Sequence, residues 1–353
     1  MLTILCDENI AHATDYLSKH DVNAIMMTGR DIDRDAIAKY NPDALWIRSV
    51  TPITLDNLGD LNGTNLAFVG SATIGIDHVD TKFLQSHDIT FANATGSSKH
   101  SVAQYVMTAI LHLHPDYLGK FITFGIVGLG NIGQTLASYG ASLGWHILGH
   151  DPFLPSSDIN NSTLSEVLSQ SDVISIHTPL TKTGDHPTHQ LINQNTLAHI
   201  KPNALLINTA RGEIVVQDDL CTAIDDKSLQ VVLDVFPDEP IIDKVLLDKL
   251  ALATPHIAGY TLDGKIKGTN MIYQAFCQAF AITPSQDLNA LLPDNPYQWQ
   301  RLKTSPDLLP SYYDIAKDDK ALRAICADKV GGADFDKLRK TYPLKREWLF
   351  KCE

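Results

Sequence analysis

Gly128-Leu129-Gly130-Asn131-Ile132-Gly133 stands between the apolar run Ile122 to Val127 and a helical pattern reaching Ala141. A strand that turns through this glycine spacing directly into a helix is the signature of a dinucleotide site. Gly128 permits the tight turn, Gly130 lets the backbone approach a pyrophosphate, and Gly133 lets helix and strand pack closely, with the helix N-terminus favouring phosphate charge. The next β-prone run ends in Asp151, 18 residues beyond Gly133. A carboxylate there can bond both ribose hydroxyls and repel a 2′-phosphate, so NAD rather than NADP is the expected cofactor.

Outward from this segment the chain keeps one rhythm. Upstream, Thr3 to Cys6, Ala24 to Met27, Ala44 to Ile47, Ala67 to Val69 and Ile89 to Ala92 are β-prone runs separated by helical patterns. Downstream the same alternation continues through Phe124 to Val127, His146 to Gly149, Val173 to Ile176, Leu205 to Ile207, Val231 to Asp234 and Leu252 to Ala253. Strands alternating with helices predict parallel sheets with crossover connections, here in two α/β domains joined near Ser101. After Pro255 a helix is expected from about Leu262 to Ala281, returning the chain to the first domain. From Pro284 onward, prolines, Trp299, Trp348 and a charged stretch read as a small additional α+β module.

At 353 residues and 44% hydrophobic composition the chain can bury several cores. Its formal net charge of -13 opposes the attraction that a phosphate polymer or an anionic membrane exerts, so neither nucleic acid nor membrane is an expected partner. No uninterrupted apolar stretch approaches the span of a bilayer. The five cysteines, Cys6, Cys221, Cys277, Cys326 and Cys352, are scattered and lack CxxC spacing, which fits a reducing cytoplasm. His112-Leu-His114 and His186-Pro-Thr-His189 have no companion cluster at zinc spacing, and no metal is expected.

Three segments beyond the fingerprint each place a polar group just past a β-prone run: Asn208-Thr-Ala-Arg211-Gly212, Asp234-Val-Phe-Pro-Asp-Glu239-Pro240 and Thr254-Pro-His256-Ile-Ala-Gly259. Carboxyl ends of parallel strands are where such sheets hold ligands. Oxidising an alcohol by hydride transfer needs a base for the hydroxyl proton, and His256 is the candidate. Glu239 can orient its imidazole, and the Arg211 fork matches a substrate carboxylate. Each residue alone has an ordinary structural reading, as a surface ion pair, a turn or a cap. Their arrival in this order after a dinucleotide fingerprint points to a catalytic triad acting on a 2-hydroxy acid.

These segments resemble the D-isomer-specific 2-hydroxyacid dehydrogenase family over almost the whole chain. The resemblance implies a discontinuous, flavodoxin-like substrate domain (1–95 and 258–283), a Rossmann NAD domain (96–257) and a C-terminal dimerisation domain (284–353). It further implies cofactor contacts at Asn131, Ile132, Asp151, Thr178, Thr209, Asp234 and Gly259, and an NAD-dependent enzyme acting as a homodimer. Narrower strings, among them Cys6-Asp-Glu-Asn, Trp46-Ile-Arg48-Ser49, Gly70-Ser-Ala-Thr73, His256-Ile-Ala-Gly-Tyr260 and Phe335-Asp-Lys-Leu-Arg-Lys, resemble members that take a phosphorylated hydroxy acid. By position, Ser49, Thr73 and Tyr260 are implied substrate contacts. Arg48, beside Ser49 at an expected strand end, is read either as the cation for the phosphate or as half of a buried ion pair. Two other functions remain open on the sequence: a dehydrogenase of the same family acting on phosphoglycerate, and an NAD-sensing binding protein that keeps the fold.

Overall fold

The computed structural model describes residues 1–154 and 159–350. The chain divides into two compact units, Met1–Ser98 with Thr261–Asp294, and Lys99–Tyr260 with Asn295–Glu353.

In the first unit five strands, β1 Leu2–Asp7, β2 Val22–Met27, β3 Ala44–Ile47, β4 Phe68–Ser71 and β5 Thr90–Asn93, pair in parallel in the order β2-β1-β3-β4-β5. The central strands are apolar runs because crossover helices cover both sheet faces. Ala44 to Ile47 are all buried, and Trp46 and Phe68 meet Phe276 edge-on at 5.8 and 5.9 Å. Phe276 belongs to the helix Leu262–Ala279, capped by Thr261, whose hydroxyl accepts from Gly264 N–H at 3.0 Å. This is the returning helix that the sequence predicts.

The second unit carries β6 Thr123–Val127, β7 His146–His150, β8 Asn160–Asn161, β9 Val173–Ile176, β10 Leu205–Asn208, β11 Gln230–Leu233, β12 Ile242–Asp243, β13 Leu252–Ala253 and β14 Lys329–Val330. Seven of them form a parallel sheet in the order β13-β11-β10-β9-β6-β7-β8, which reverses direction at β6 and β9. This is the Rossmann arrangement, with its crevice outside the carboxyl ends of the strands. Register fixes that edge: Val127 pairs with His150 and Ile176, Ile176 with Asn208, Asn208 with Leu233, and Leu233 with Ala253. The residue after each strand therefore emerges at one level. The helix Lys99–Leu113 is buried on every side from Ser101 to Leu111, as expected of a helix apolar all round.

The C-terminal residues, expected as a separate module, group with this second unit from Asn295 on. The reason is aromatic. Trp299 stacks on Trp348 with ring centroids 5.5 Å apart and meets Tyr139 edge-on at 4.9 Å, and its indole N–H donates to the Ser142 hydroxyl at 2.8 Å. Tyr139 lies on the helix Asn131–Ala141 that follows the glycine turn, so the C-terminal segment braces the dinucleotide helix from behind. A second tie is the antiparallel pair β12 and β14, Ile242 opposite Val330 and Asp243 opposite Lys329. Replacing Trp299 with Ala is expected to cost roughly 3–5 kcal/mol through cavity formation and a lost hydrogen bond. Urea unfolding followed by fluorescence checks this: the midpoint should fall with the slope unchanged, and a retained midpoint would remove Trp299 from the supporting core.

Candidate active site

The glycine turn is built as its spacing demands. Gly128 has φ +96°, a conformation that a side chain resists, and a Cβ there would press on the backbone of His177 and Thr178 at 2.8 to 2.9 Å. A Cβ on Gly133 would overlap the Gly128 carbonyl, so this glycine sets the approach of helix to strand. Gly130 has open space where a Cβ would point, and it caps a helix whose first N–H groups find no side-chain partner there. An anion fits that opening. Asn131 and Ile132 form the first turn of this helix, the former exposed and the latter half-buried.

Asp151 follows β7, and its Oδ2 accepts from Leu129 N–H at 3.0 Å, fixing the carboxylate against the glycine turn. The Thr178 hydroxyl, beyond β9, is buried without a hydrogen-bond partner among the described residues. Next to it, burial pushes the His177 imidazole down to about 3, so the ring is neutral, and it shares hydrogen bonds with Ser175 at 2.7 Å and Thr209 at 3.4 Å. An open helix terminus, an orphaned hydroxyl and a placed carboxylate along one sheet edge fit a dinucleotide of NAD type.

The triad residues stand on the same edge of the same sheet. Asn208 ends β10 and clamps its own turn, its Oδ1 accepting from Ala210 N–H at 3.0 Å and its Nδ2 donating to the Arg211 carbonyl at 2.8 Å. Arg211 Nη1 donates to the Ala210 carbonyl at 2.7 Å. Gly212 lies so close to the Phe236–Pro237 backbone that a Cβ would overlap it, and this contact sets the Arg211 turn against the turn that carries Glu239. Glu239 Oε1 accepts from Phe236 N–H at 2.8 Å, and Oε2 accepts from His256 Nδ1 at 2.7 Å. Burial alone would raise the Glu239 carboxyl, but the charge and hydrogen bond of His256, the Phe236 N–H and the Arg339 guanidinium outweigh it and hold the group below its usual range. The carboxylate is therefore ionised, and with Nδ1 occupied the imidazole has Nε2 to offer a substrate.

His256 adopts φ +56°, an uncommon conformation for a side-chain-bearing residue that must be held from outside. Asp234 does this. It is 1% exposed, its Oδ1 accepts from the Thr254 hydroxyl at 2.6 Å and Ile257 N–H at 2.8 Å, and its Oδ2 accepts from Ala258 N–H at 2.8 Å. Tyr105 donates to Thr254 at 2.6 Å and Ser101 donates to the Ala258 carbonyl at 2.7 Å. Burial pushes Asp234 up to about 6, opposed by the His256 charge, the Thr254 hydroxyl and the two N–H groups. The sequence marked Asp234 for the cofactor alone; its grip on both sides of His256 had no local signal. Gly259, half-buried, follows at once, and Tyr260 closes the turn by donating its N–H to the Ile257 carbonyl at 2.8 Å.

Of the expected substrate residues in the first unit, Ser49 and Thr73 each lie two residues beyond Ile47 and Ser71, which pair across β3 and β4. Ser49 is exposed, while the Thr73 hydroxyl donates to the Gly75 carbonyl at 3.1 Å and accepts from Ser71 at 2.8 Å. Arg48 Nε donates to Asp7 Oδ2 at 3.0 Å. Asp7 is fully buried at the end of β1, so its charge requires this partner, and the ion-pair reading of Arg48 accounts for its position without a phosphate. Among the described residues no group of three side chains is placed to hold a metal ion, and no helix is long and apolar enough to cross a membrane.

Gly212→Ala should lower turnover while NAD binding persists, because the added methyl separates the Arg211 turn from the Glu239 turn and leaves the glycine turn untouched. Steady-state kinetics beside NAD titration checks this, and full activity in the variant would show that the close approach is dispensable.

Residues 117–258 match the family described as D-isomer specific 2-hydroxyacid dehydrogenase, NAD binding domain. An erythronate-4-phosphate dehydrogenase of Psychrobacter sp. is 50% identical, covering 99% of this chain and 100% of that protein. One from Acinetobacter baylyi is 44% identical over 98% of each. Among solved structures, NAD+-bound 3-phosphoglycerate dehydrogenase of Entamoeba histolytica superposes with a TM-score of 0.66 at 22% identity, covering 79% of this chain and 95% of that one. The NAD complex of Staphylococcus aureus formate dehydrogenase superposes with a TM-score of 0.64 at 23% identity, covering 82% and 98%. These distant matches share the fold. The identities over full length decide the rest: the chain belongs to the erythronate-4-phosphate dehydrogenases, NAD-dependent enzymes of the D-isomer-specific 2-hydroxyacid dehydrogenase family.

Proposed function

We propose that this enzyme oxidises the 2-hydroxyl of 4-phospho-D-erythronate to give 2-oxo-3-hydroxy-4-phosphobutanoate, a step of pyridoxal 5′-phosphate (vitamin B6) biosynthesis, and that it works in the cytoplasm as a homodimer. The observation that carries the reading is the Glu239–His256 contact at 2.7 Å on the ligand edge of a sheet with a dinucleotide turn. The names of relatives that align over the whole chain support the substrate.

In this reading His256 Nε2 takes the hydroxyl proton, and the ionised Glu239 stabilises the imidazolium that forms. Arg211 receives the substrate carboxylate, which orients the 2-carbon. NAD, when bound, supplies the acceptor for the hydride that leaves that carbon. Gly128, Gly130, Asn131, Ile132 and Gly133 cradle its pyrophosphate and Asp151 takes its ribose, while Thr178, Thr209, Asp234 and Gly259 line the remainder. The resemblance adds Ser49, Thr73 and Tyr260 as substrate contacts, and Arg48, paired with Asp7, steadies the turn that carries Ser49. The residues from 284 on are assigned to dimer formation, which light scattering of the purified protein tests.

The reading is tested by following NAD reduction with 4-phospho-D-erythronate and, in parallel, with 3-phosphoglycerate. Selective turnover of the former supports it. Activity on 3-phosphoglycerate alone keeps the chemistry and replaces the substrate, and silence on both with NAD bound leaves a binding protein. His256→Ala should lower turnover roughly 10²- to 10⁴-fold, the contribution of a positioned acid-base group, and retained turnover would end that role. Asp151→Ser should raise the use of NADP relative to NAD in the same assay, and an unchanged ratio would move the ribose elsewhere.

A further inference from the structure

The C-terminal segment brings a cation to the turn that carries His256. Arg339 lies on the helix Gly332–Lys340, with its guanidinium carbon 5.6 Å from the Tyr260 ring centroid and 5.7 Å from that of Phe335. Phe335 is 1% exposed, and the ring of Tyr342 meets Tyr260 edge-on at 6.0 Å, so the guanidinium sits between aromatic walls that cannot neutralise it. Its Nε is buried with no hydrogen-bond partner among the described residues. The acid that feels its charge is Glu239, but both oxygens of that group are engaged with Phe236 and His256.

A guanidinium stays charged at all relevant pH, and a half-buried one whose acid neighbour, Glu239, is already engaged with Phe236 and His256 carries a desolvation cost that a further anion relieves. Arg339 is four residues from Phe335 on one helix, and Tyr260 is four residues from His256 on one turn. The helix is anchored just upstream, where β14 pairs with β12 beyond Glu239. The C-terminal segment thus holds the cation near both halves of the catalytic pair, through β14 on β12 and through the Tyr260 ring. Arg48, the cation suggested by sequence, is by contrast occupied by buried Asp7.

We infer that Arg339 is the residue that receives the phosphate of the substrate, and that the C-terminal segment thereby sets the preference for a phosphorylated hydroxy acid. This rests on the reading of the substrate given above. The fork offers paired N–H donors to phosphate oxygens, and the Tyr260 ring beside it adds a cation–π contact.

The test compares wild type, Arg339→Met and Arg339→Lys on 4-phospho-D-erythronate and on D-erythronate. Arg339→Met should lower the ratio of kcat/KM between the two substrates roughly 10- to 100-fold, mainly through KM, the loss expected of a charge-assisted contact. Arg339→Lys should fall between, since it keeps charge and loses the fork. Inorganic phosphate should compete with 4-phospho-D-erythronate on wild type and lose potency on Arg339→Met. NAD titration of each variant reports whether the fold persists. An equal loss on both substrates would show that Arg339 acts through Glu239 or through packing, and an unchanged ratio would show that the phosphate lies elsewhere; either overturns the inference. A wild type without preference for the phosphorylated acid would instead overturn the substrate reading, and would do so before any variant is made.

Discussion

The hydrogen bond from His256 Nδ1 to Glu239 Oε2 is the contact around which the second unit is arranged. It joins two turns 17 residues apart in the chain, and it works only if both are held from behind. Glu239 is fixed by the Phe236 N–H, and the turn carrying Phe236 lies flush against Gly212, so the arginine turn belongs to the same rigid group. His256 is held in a left-handed conformation by Asp234, whose carboxylate accepts hydrogen bonds from Thr254, Ile257 and Ala258. An ordered second layer of this kind fixes the orientation of an imidazole.

Behind these contacts stands the register of the sheet. Because Val127, His150, Ile176, Asn208, Leu233 and Ala253 are aligned across neighbouring strands, the next residues along the chain emerge side by side. A one-residue slip in any strand would turn its side chains to the opposite face and displace its turn. Burial of apolar strands in the core thus fixes the placement of polar groups at the edge.

Much of this could be read from the chain alone. The conformation of the glycine turn was legible because backbone geometry dictates its spacing, and the places of Asp151, Arg211, Glu239 and His256 because each follows an apolar run at a strand end. The fully buried strands, such as Ala44 to Ile47, were legible as continuous apolar runs. The short strands β8, β12 and β14 were not, since each has only two residues and at least one is polar, whereas the equally short β13 is apolar throughout. Nor could sequence pair Tyr105 with Thr254, 149 residues apart, or Trp299 with Ser142, 157 apart. The C-terminal segment read as a separate module because its prolines and charges break the alternating pattern. Its aromatic residues, which attach it to the dinucleotide helix, show their partners only in the folded chain. Arg48 and Arg339 illustrate the same limit: both are unremarkable basic residues until the fold gives one a buried acid and leaves the Nε of the other buried with no hydrogen-bond partner among the described residues.

The most direct test of the account is a crystal structure of the complex with NADH and 4-phospho-D-erythronate, an unreactive pairing of reduced cofactor with the alcohol. The account predicts His256 Nε2 within about 2.6–3.2 Å of the 2-hydroxyl oxygen, with Nδ1 still on Glu239. A complex in which the imidazole has left Glu239, or in which another side chain receives the 2-hydroxyl, would contradict it.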